Sequence, residues 1–564
     1  MKMTPLQNKS EIFLVGLALF VMLVSVRNIA EISKSDPWTH NLDMDVLNAT
    51  DSLLINSGNR PGADQPGLVM KSLLAMDYRI RHGLGQLDVW NLGELDAQPN
   101  PLTSIPNLIS AGREHSRILV STFIVLVGIV IYVLCRSVKI AALGVIFVAG
   151  SSGLMFHGLL VRPELLCTLL GQVLALACIW CGIQAGFRPW GGLWFAVAGL
   201  CAGFAILEKL PGLLYLFVYC TWVIVDALVR KTMVNEVGPS GKRLPGWQID
   251  LSWIVISVGA TVGFILFLGK HSGEIKPFQV TRLLLISGAL AGGAFLIYLP
   301  LFEKLGHGLQ ASLRRSLLLG SGAMISLPLS YLFLRQTMRT IDASNYLAQV
   351  VRVIISPNEV IKTYASNTSV FSEFIKFISY NPWLLTFAIS ATILAWIFVK
   401  SQYCFKVSCT ILLITALGAS MMMAKRYWAP QYIIFTQVPI ILVIILFLHM
   451  IYESYVVGLR PRWAFLFWVG TSSTACAWTV MNIQELDNWY PKFQSGYLTD
   501  TSSQVVMLYS FGMLSPPYRG IMNKHYGDAD GFQKNLRDLL EVNAKKPSFR
   551  FGSRPREPIS ASGD

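Results

Sequence analysis

The chain has 564 residues, of which 53% are hydrophobic and only 14% charged, with a formal net charge of +14. A soluble domain carries about 25% charged residues, so this composition excludes an ordinary soluble globular protein. The positive charge invites a nucleic-acid partner, but Lys and Arg retained in the cytoplasmic loops of a membrane protein account for it without nucleic acid.

In chain order, Lys2 and Lys9 precede an apolar run from Ile12 to Val26. No small-residue cleavage site follows, and the run is long for a signal core, so it reads as an uncleaved first helix. A long polar segment over 31–116 comes next, rich in acids such as Asp43, Asp45, Asp51, Asp64, Asp77 and Glu94. Within it, 66–82 mixes Leu68, Leu73, Leu74, Met76 and Ile80 with Lys71, Arg79 and Arg81, which predicts an interfacial amphipathic helix.

Apolar runs long enough to span then recur near 118–134, 140–157, 164–184, 191–207, 211–228, 252–268, 282–300, 316–334, 383–399, 407–423, 431–450 and 463–481. With the first they make thirteen. Backbone in lipid must satisfy its own hydrogen bonds, so these are helices. The pair over 191–228 is the weakest division, because Glu208, Lys209 and Pro211 only briefly interrupt it.

Loop charge sets the sidedness. With the N-terminus in the cytoplasm, Arg136, Lys139, Arg188, Arg230, Lys231, Arg314, Arg315, Lys400, Lys406, Arg460 and Arg462 all fall on the cytoplasmic side. The acidic segment 31–116, the segment 335–381 and the tail 483–564 fall outside. The expected organisation is a helical membrane module over 1–482 and an extracytoplasmic tail over 483–564, disordered toward its Arg/Pro/Ser/Gly-rich end. The nine cysteines offer no disulfide framework; Cys178 and Cys181 form a CxxC within an apolar run, with no second pair or His beside it.

Four clusters at the outer rim carry the chemistry. His40–Asp45 holds Asp43 and Asp45; a carboxylate just outside a membrane can take a proton from a hydroxyl or hold a cation. The turn from His157 to Glu164 carries Arg162 between two apolar helices. Pro163 and Glu164 suit the start of a helix, which leaves Arg162 as a phosphate or carboxylate ligand or an interfacial anchor. Glu208-Lys209 is either a self-neutralising pair at a helix boundary or a site. Lys425-Arg426-Tyr427-Trp428 places two cations on the face that the charge bias should leave poor in them, so an anionic ligand is expected there.

The order of these features resembles the GT-C class of membrane glycosyltransferases, which use polyprenyl-phosphate sugars and include protein O-mannosyltransferases and bacterial aminoarabinose transferases. The likeness extends in layout over about residues 11–450. Asp43 and Asp45 stand where members carry an essential acid early in the first outer loop. Asp51–Gly58 followed by Asp64-Gln65-Pro66-Gly67 is similar to that loop's continuation, Lys209 in LEKLPGLLYL to a basic position after a middle helix, and KRYWAPQY to a late Arg-Tyr-x-x-Pro segment. The tail 483–564 matches no segment of the class.

The resemblance implies an all-α polytopic bundle that transfers a sugar with inversion on the extracytoplasmic side, in a bacterial inner membrane. Asp43 or Asp45 would be the general base. His157, Arg162, Glu164, Lys209, Lys425, Arg426 and Tyr427 would bind substrate, the cations among them stabilising the departing lipid phosphate. Its partners would be a polyprenyl-phosphate sugar, membrane lipids and a glycan, lipid or protein acceptor; a divalent metal beside the carboxylates is left open. The alternatives are a secondary transporter, a polymerase or ligase of lipid-linked polysaccharide, and a non-catalytic membrane subunit. Against transport, the helix middles carry almost no charge and no repeat is visible.

Overall fold

The computed structural model describes residues 5–32, 42–61, 67–185, 190–233, 247–272, 275–298, 307–338, 342–355, 369–379, 382–400, 402–424, 432–457, 461–498 and most of 516–538. Those residues form helices and turns, with no strand among them. Eleven helices are long and apolar enough to cross a membrane, and two bent pairs bring the number up to thirteen. Each of the thirteen apolar runs falls in one of these helices or pairs. The protein is a multi-pass, all-α integral membrane bundle.

Helix α1 (Pro5–Ile32) leads to a group of shorter helices: α2 (Leu42–Asn56), α3 (Leu68–Gly83) and α4 (Leu92–Ala97). Helix α5 (Pro101–Cys135) begins earlier than expected. Its first 16 or so residues lie in the polar segment 31–116, where Arg113, Glu114 and His115 interrupt the apolar pattern. Pro101 at its first turn explains the start. Helix α3 buries one face against protein, with Leu68, Lys71, Ser72, Ala75 and Tyr78 covered at helical spacing, while Met76 and Ile80 stay exposed.

The next span is broken. Helices α6 (Val138–Ala149) and α7 (Ser152–Leu159) meet at 58°. A break inside a bundle needs substitute partners for its backbone. Ser151 caps α7 by accepting from Leu154 N, and Gln437 Oε1 accepts from Gly153 N at 2.8 Å and from Ser151 Oγ at 2.7 Å. The bend carries His157 and the turn 160–163 toward α2.

Helix α8 (Glu164–Ala185) contains a π-helical turn at Leu169–Leu174. The Gly171 carbonyl within that turn accepts a hydrogen bond from Tyr219 Oη. Helices α9 (Gly191–Glu208) and α10 (Pro211–Met233) are separate, with Lys209 extended between them. Helices α11 (Trp247–His271), α12 (Pro277–Tyr298) and α13 (His307–Met338) complete the middle of the bundle. Gly199-x-x-x-Gly203 of α9 faces Gly322 of α13 so closely that a Cβ at Gly199 would strike the Leu319 carbonyl.

After α14 (Asp342–Ile355) and α15 (Val370–Ser379), the last spans are α16 (Pro382–Phe398), α17 (Tyr403–Ala424), α18 (Ile434–Val456) and α19 (Pro461–Leu498). Helix α18 is the most enclosed. Helix α20 (Pro516–Tyr526) returns to α4 and the start of α5. Lys524 Nζ reaches Asp96 at 2.8 Å, and Tyr526 Oη donates to Asn100 Oδ1 and accepts from Leu102 N. This part of the tail therefore docks on the same end of the bundle as the acidic first segment.

Charge separates the two ends. At one end Asp226 of α10 pairs with Arg315, Asp250 of α11 with Arg314, and Lys139 lies 4.0 Å from Glu11. At the other lie α2, α3, α4, the turn 160–163, Lys209 and α20.

Candidate functional site

Three of the four predicted clusters meet in one buried region. Asp45, in the first half of α2, is fully buried. Its Oδ2 lies 3.0 Å from Arg113 Nε of α5, and its Oδ1 accepts from Val161 N at 2.8 Å. One turn on, Asn48 Nδ2 donates to the Val161 carbonyl at 2.6 Å. Asp45 and Asn48 thus hold both sides of one peptide residue in the turn after α7. Burial pushes the Asp45 carboxyl above the ordinary carboxylate range, while Arg113 and the Val161 N–H pull it back.

That turn presents Arg162 and Glu164. Glu164 is fully buried, and neither of its oxygens accepts a hydrogen bond from a described residue. It faces Lys209 Nζ at 3.1 Å and Arg162 Nη1 at 3.9 Å. Two cations thus share one carboxylate at this point. His157, at the end of α7, is buried nearby and packs edge-on against Phe156.

Glu208 has a structural job. Its Oε1 accepts from Val69 N and Met70 N, capping the positive N-terminus of α3. Gly67, just before that helix, has φ 45°, a left-handed backbone that favours glycine. A Cβ there would press on Pro163 at 3.2 Å, so the α3 turn sits directly against the 160–163 turn. The Gly67 N–H donates to the Glu208 carbonyl at 3.1 Å. Lys209 is therefore held between α3, α8 and the aromatic ring of Tyr432, 5.9 Å away.

Of the sequence candidates, Asp45, His157, Arg162, Glu164 and Lys209 are thus brought to one end and buried. Asp43 lies in the first turn of α2, and its side chain is outside the described residues. Lys425, Arg426 and Tyr427 are also outside them; the chain re-enters at Tyr432, beside Lys209.

Sequence reading missed Arg113, Asn48 and the pair Asp51–Lys71 at 2.7 Å. Arg113 and Lys71 stood in stretches read as loop or surface. Their signal was helical spacing to apolar neighbours: Leu108, Ile109, Gly112, Arg113 and Ser116 form one buried stripe.

The carboxylates here do not form a cation cage. Asp45, Asp51, Glu164 and Glu208 each face Arg, Lys or backbone N–H groups, and the described residues hold no group of three or more His, Cys, Asp or Glu placed to share a metal. What the arrangement can do is hold an anion beside Arg162 and Lys209 while α2 and the 160–163 turn stay rigid.

No family model matches the chain, and no curated protein matches it. Solved structures with a similar course are an oligosaccharyltransferase of Archaeoglobus fulgidus with an inhibitory peptide and a dolichol-phosphate, and an Archaeoglobus fulgidus oligosaccharyltransferase in its apo form. The first has a TM-score of 0.46 at 13% identity over 96% of this chain. The second has a TM-score of 0.46 at 14% identity over 90%. This chain covers 61% and 59% of their lengths.

Proposed function

We propose that the protein is a membrane glycosyltransferase that moves a sugar from a polyprenyl-phosphate donor to an acceptor at the bundle end carrying α2 and α3. The observation that supports this most is the meeting of the acidic first segment with Arg162 and Lys209, from separate parts of the chain, at one end of a lipid-facing bundle. A lipid-phosphate leaving group needs cations where its charge develops, and the donor's tail needs apolar helices. Glu164 orients Lys209 and Arg162, so little reorganisation accompanies the departure of the phosphate. Lys425, Arg426, Tyr427 and His157 are assigned to substrate binding in the same reading.

Of the two early acids, Asp43 is assigned the role of base on the acceptor hydroxyl. Asp45 is assigned the role of positioning residue, since both its oxygens are already engaged by Arg113 and Val161. The end bearing these groups is taken as extracytoplasmic, in a bacterial inner membrane, because the opposite end carries the Lys/Arg-rich loops.

The test is transfer from a polyprenyl-phosphate sugar in reconstituted membranes. Lys209→Met and Arg162→Met should each lower turnover by about 10²–10³, as expected when one charge-stabilising group is lost. Asp43→Asn should abolish transfer while leaving donor binding intact. If all three variants transfer at the wild-type rate, the assignment is wrong. Uptake of a soluble solute by proteoliposomes lacking any lipid donor would point to a transporter instead.

A further inference from the structure

A cavity lies at the same end, outside the charged cluster. It has a volume of about 770 Å³ and is bounded by the C-terminal ends of α2, α3 and α13 and the start of α4. That is within the range of small-molecule sites, about 300–1,000 Å³. Asn56 and Asp45 lie on one helix, so the cavity is about 16 Å from the charged cluster along α2, at about 1.5 Å per residue.

Its walls are polar and aromatic. The Trp90 indole donates through Nε1 to Glu94 Oε1 at 2.9 Å, and its carbonyl accepts from Asn56 Nδ2 at 2.9 Å. Asn56 also donates to the Ala75 carbonyl and accepts from Arg79 Nη2 at 3.1 Å. The Arg79 guanidinium lies 5.0 Å from the Trp90 ring centre and also donates to the Thr337 carbonyl. The aromatic wall is therefore held rigid from several sides. Asn91 accepts from Glu94 N through its Oδ1, which leaves its amide N–H groups for a ligand.

Gly58, Gly83 and Gly93 complete the lining. Their lack of side chains lets a bulky ring approach the backbone. A Cβ added at Gly83 would meet nothing within 4 Å, so it would point into open space.

We propose that this cleft binds a short neutral saccharide, the acceptor glycan of the transfer proposed above. A sugar ring presents an apolar C–H face and a rim of hydroxyls, each both donor and acceptor. A fixed indole with carboxamide and glycine backbone groups answers both features. Charge at the wall is balanced rather than cationic: Arg79 keeps its positive charge beside the neutral groups of Asn56, Thr337 and Trp90, and Glu94, which accepts from the Trp90 indole and lies 3.3 Å from His82, supplies a negative one. The saccharide identity rests on the glycosyltransferase reading, but binding to the cleft can be measured without it.

Purified full-length protein in detergent is screened on an array of neutral and anionic oligosaccharides, and the best neutral binder is titrated against the wild type, Gly83→Phe and Trp90→Ala. Gly83→Phe should fill the cleft without disturbing packing and weaken binding by about tenfold or more. Trp90→Ala should do the same. Thermal unfolding of Gly83→Phe should match the wild type. In the transfer assay, Gly83→Phe should raise the KM for acceptor and leave the KM for donor unchanged.

Undiminished binding in Gly83→Phe, binding only to anionic glycans, or binding to no glycan at all would each overturn the proposal. Saccharide binding lost in Gly83→Phe, in a protein that transfers no sugar, would sustain the cleft and sink the enzyme. Transfer with an unchanged acceptor KM in Gly83→Phe would do the reverse.

Discussion

Asp45 and Arg113 show what a residue's position costs and secures. Both are almost wholly buried, 3.0 Å apart. Each charge depends heavily on the other, because removing one takes the nearest opposite charge from a desolvated partner. Asp45→Ala and Arg113→Met should each destabilise the protein by about 3–5 kcal/mol. The double variant should recover part of that loss, since no orphaned charge remains. Thermal unfolding in detergent gives the comparison; additive losses in the double variant would mean the two residues act independently. Asp45 was legible in the sequence as an acid just after the first helix. Its partner was not, because Arg113 sits among Glu114, His115 and Arg117 in a stretch that reads as polar loop. Only folding shows that Arg113 points inward while Glu114 remains partly exposed.

At the scale of elements, small residues decide which helices can touch. Helices α9 and α13 make the most extensive helix–helix contact among the described residues. Gly199 and Gly322 each abut the other helix's backbone carbonyl. Lipid supplies no hydrophobic drive for helix pairing, so such close approach supplies packing instead. Gly199→Leu should therefore cost about 1–3 kcal/mol or more through overpacking. Gly292→Ala, where an added Cβ meets nothing within 4 Å, should leave stability unchanged. Equal melting shifts for the two variants would contradict this account. The same helices show where sequence reading of elements succeeded. The division at Glu208-Lys209-Leu210-Pro211 is real, because Pro211 opens α10 and Lys209 is extended. The helix expected over 66–82 is present as α3. A stripe of apolar residues faces lipid or protein equally well, and only the neighbours of α3 show that its Leu68–Tyr78 face meets protein.

For the whole molecule, the arrangement of ends follows from alternation. If both bent pairs cross, the proposed thirteen crossings put the two termini on opposite sides; α20 docks beside Asp96 at the end that holds α2 to α4. Cysteines introduced at Gln98 and Lys534 in intact cells should react with an impermeant maleimide. One introduced at Lys400 should react only after permeabilisation. Labelling of Lys400→Cys from outside, or protection of Gln98→Cys, would invert the molecule and with it the proposed donor side.

The sequence by itself determined that the chain is a multi-span helical membrane protein, and where along it the spans and the acids of the first segment lie. Those properties follow from hydropathy and loop charge, which act locally along the chain. Only the tertiary structure decided that Asp45 grips the 160–163 turn, that Glu164 holds Arg162 and Lys209, and that a cleft opens beside Trp90. Most of these depend on contacts between residues tens to hundreds of positions apart. A chain records such contacts only in the sum of its packing, because a buried charge is tolerated only where a distant partner meets it. The membrane bundle was therefore readable from residues alone. Which charged side chains at the α2–α4 end brace one another was set by burial and by pairing.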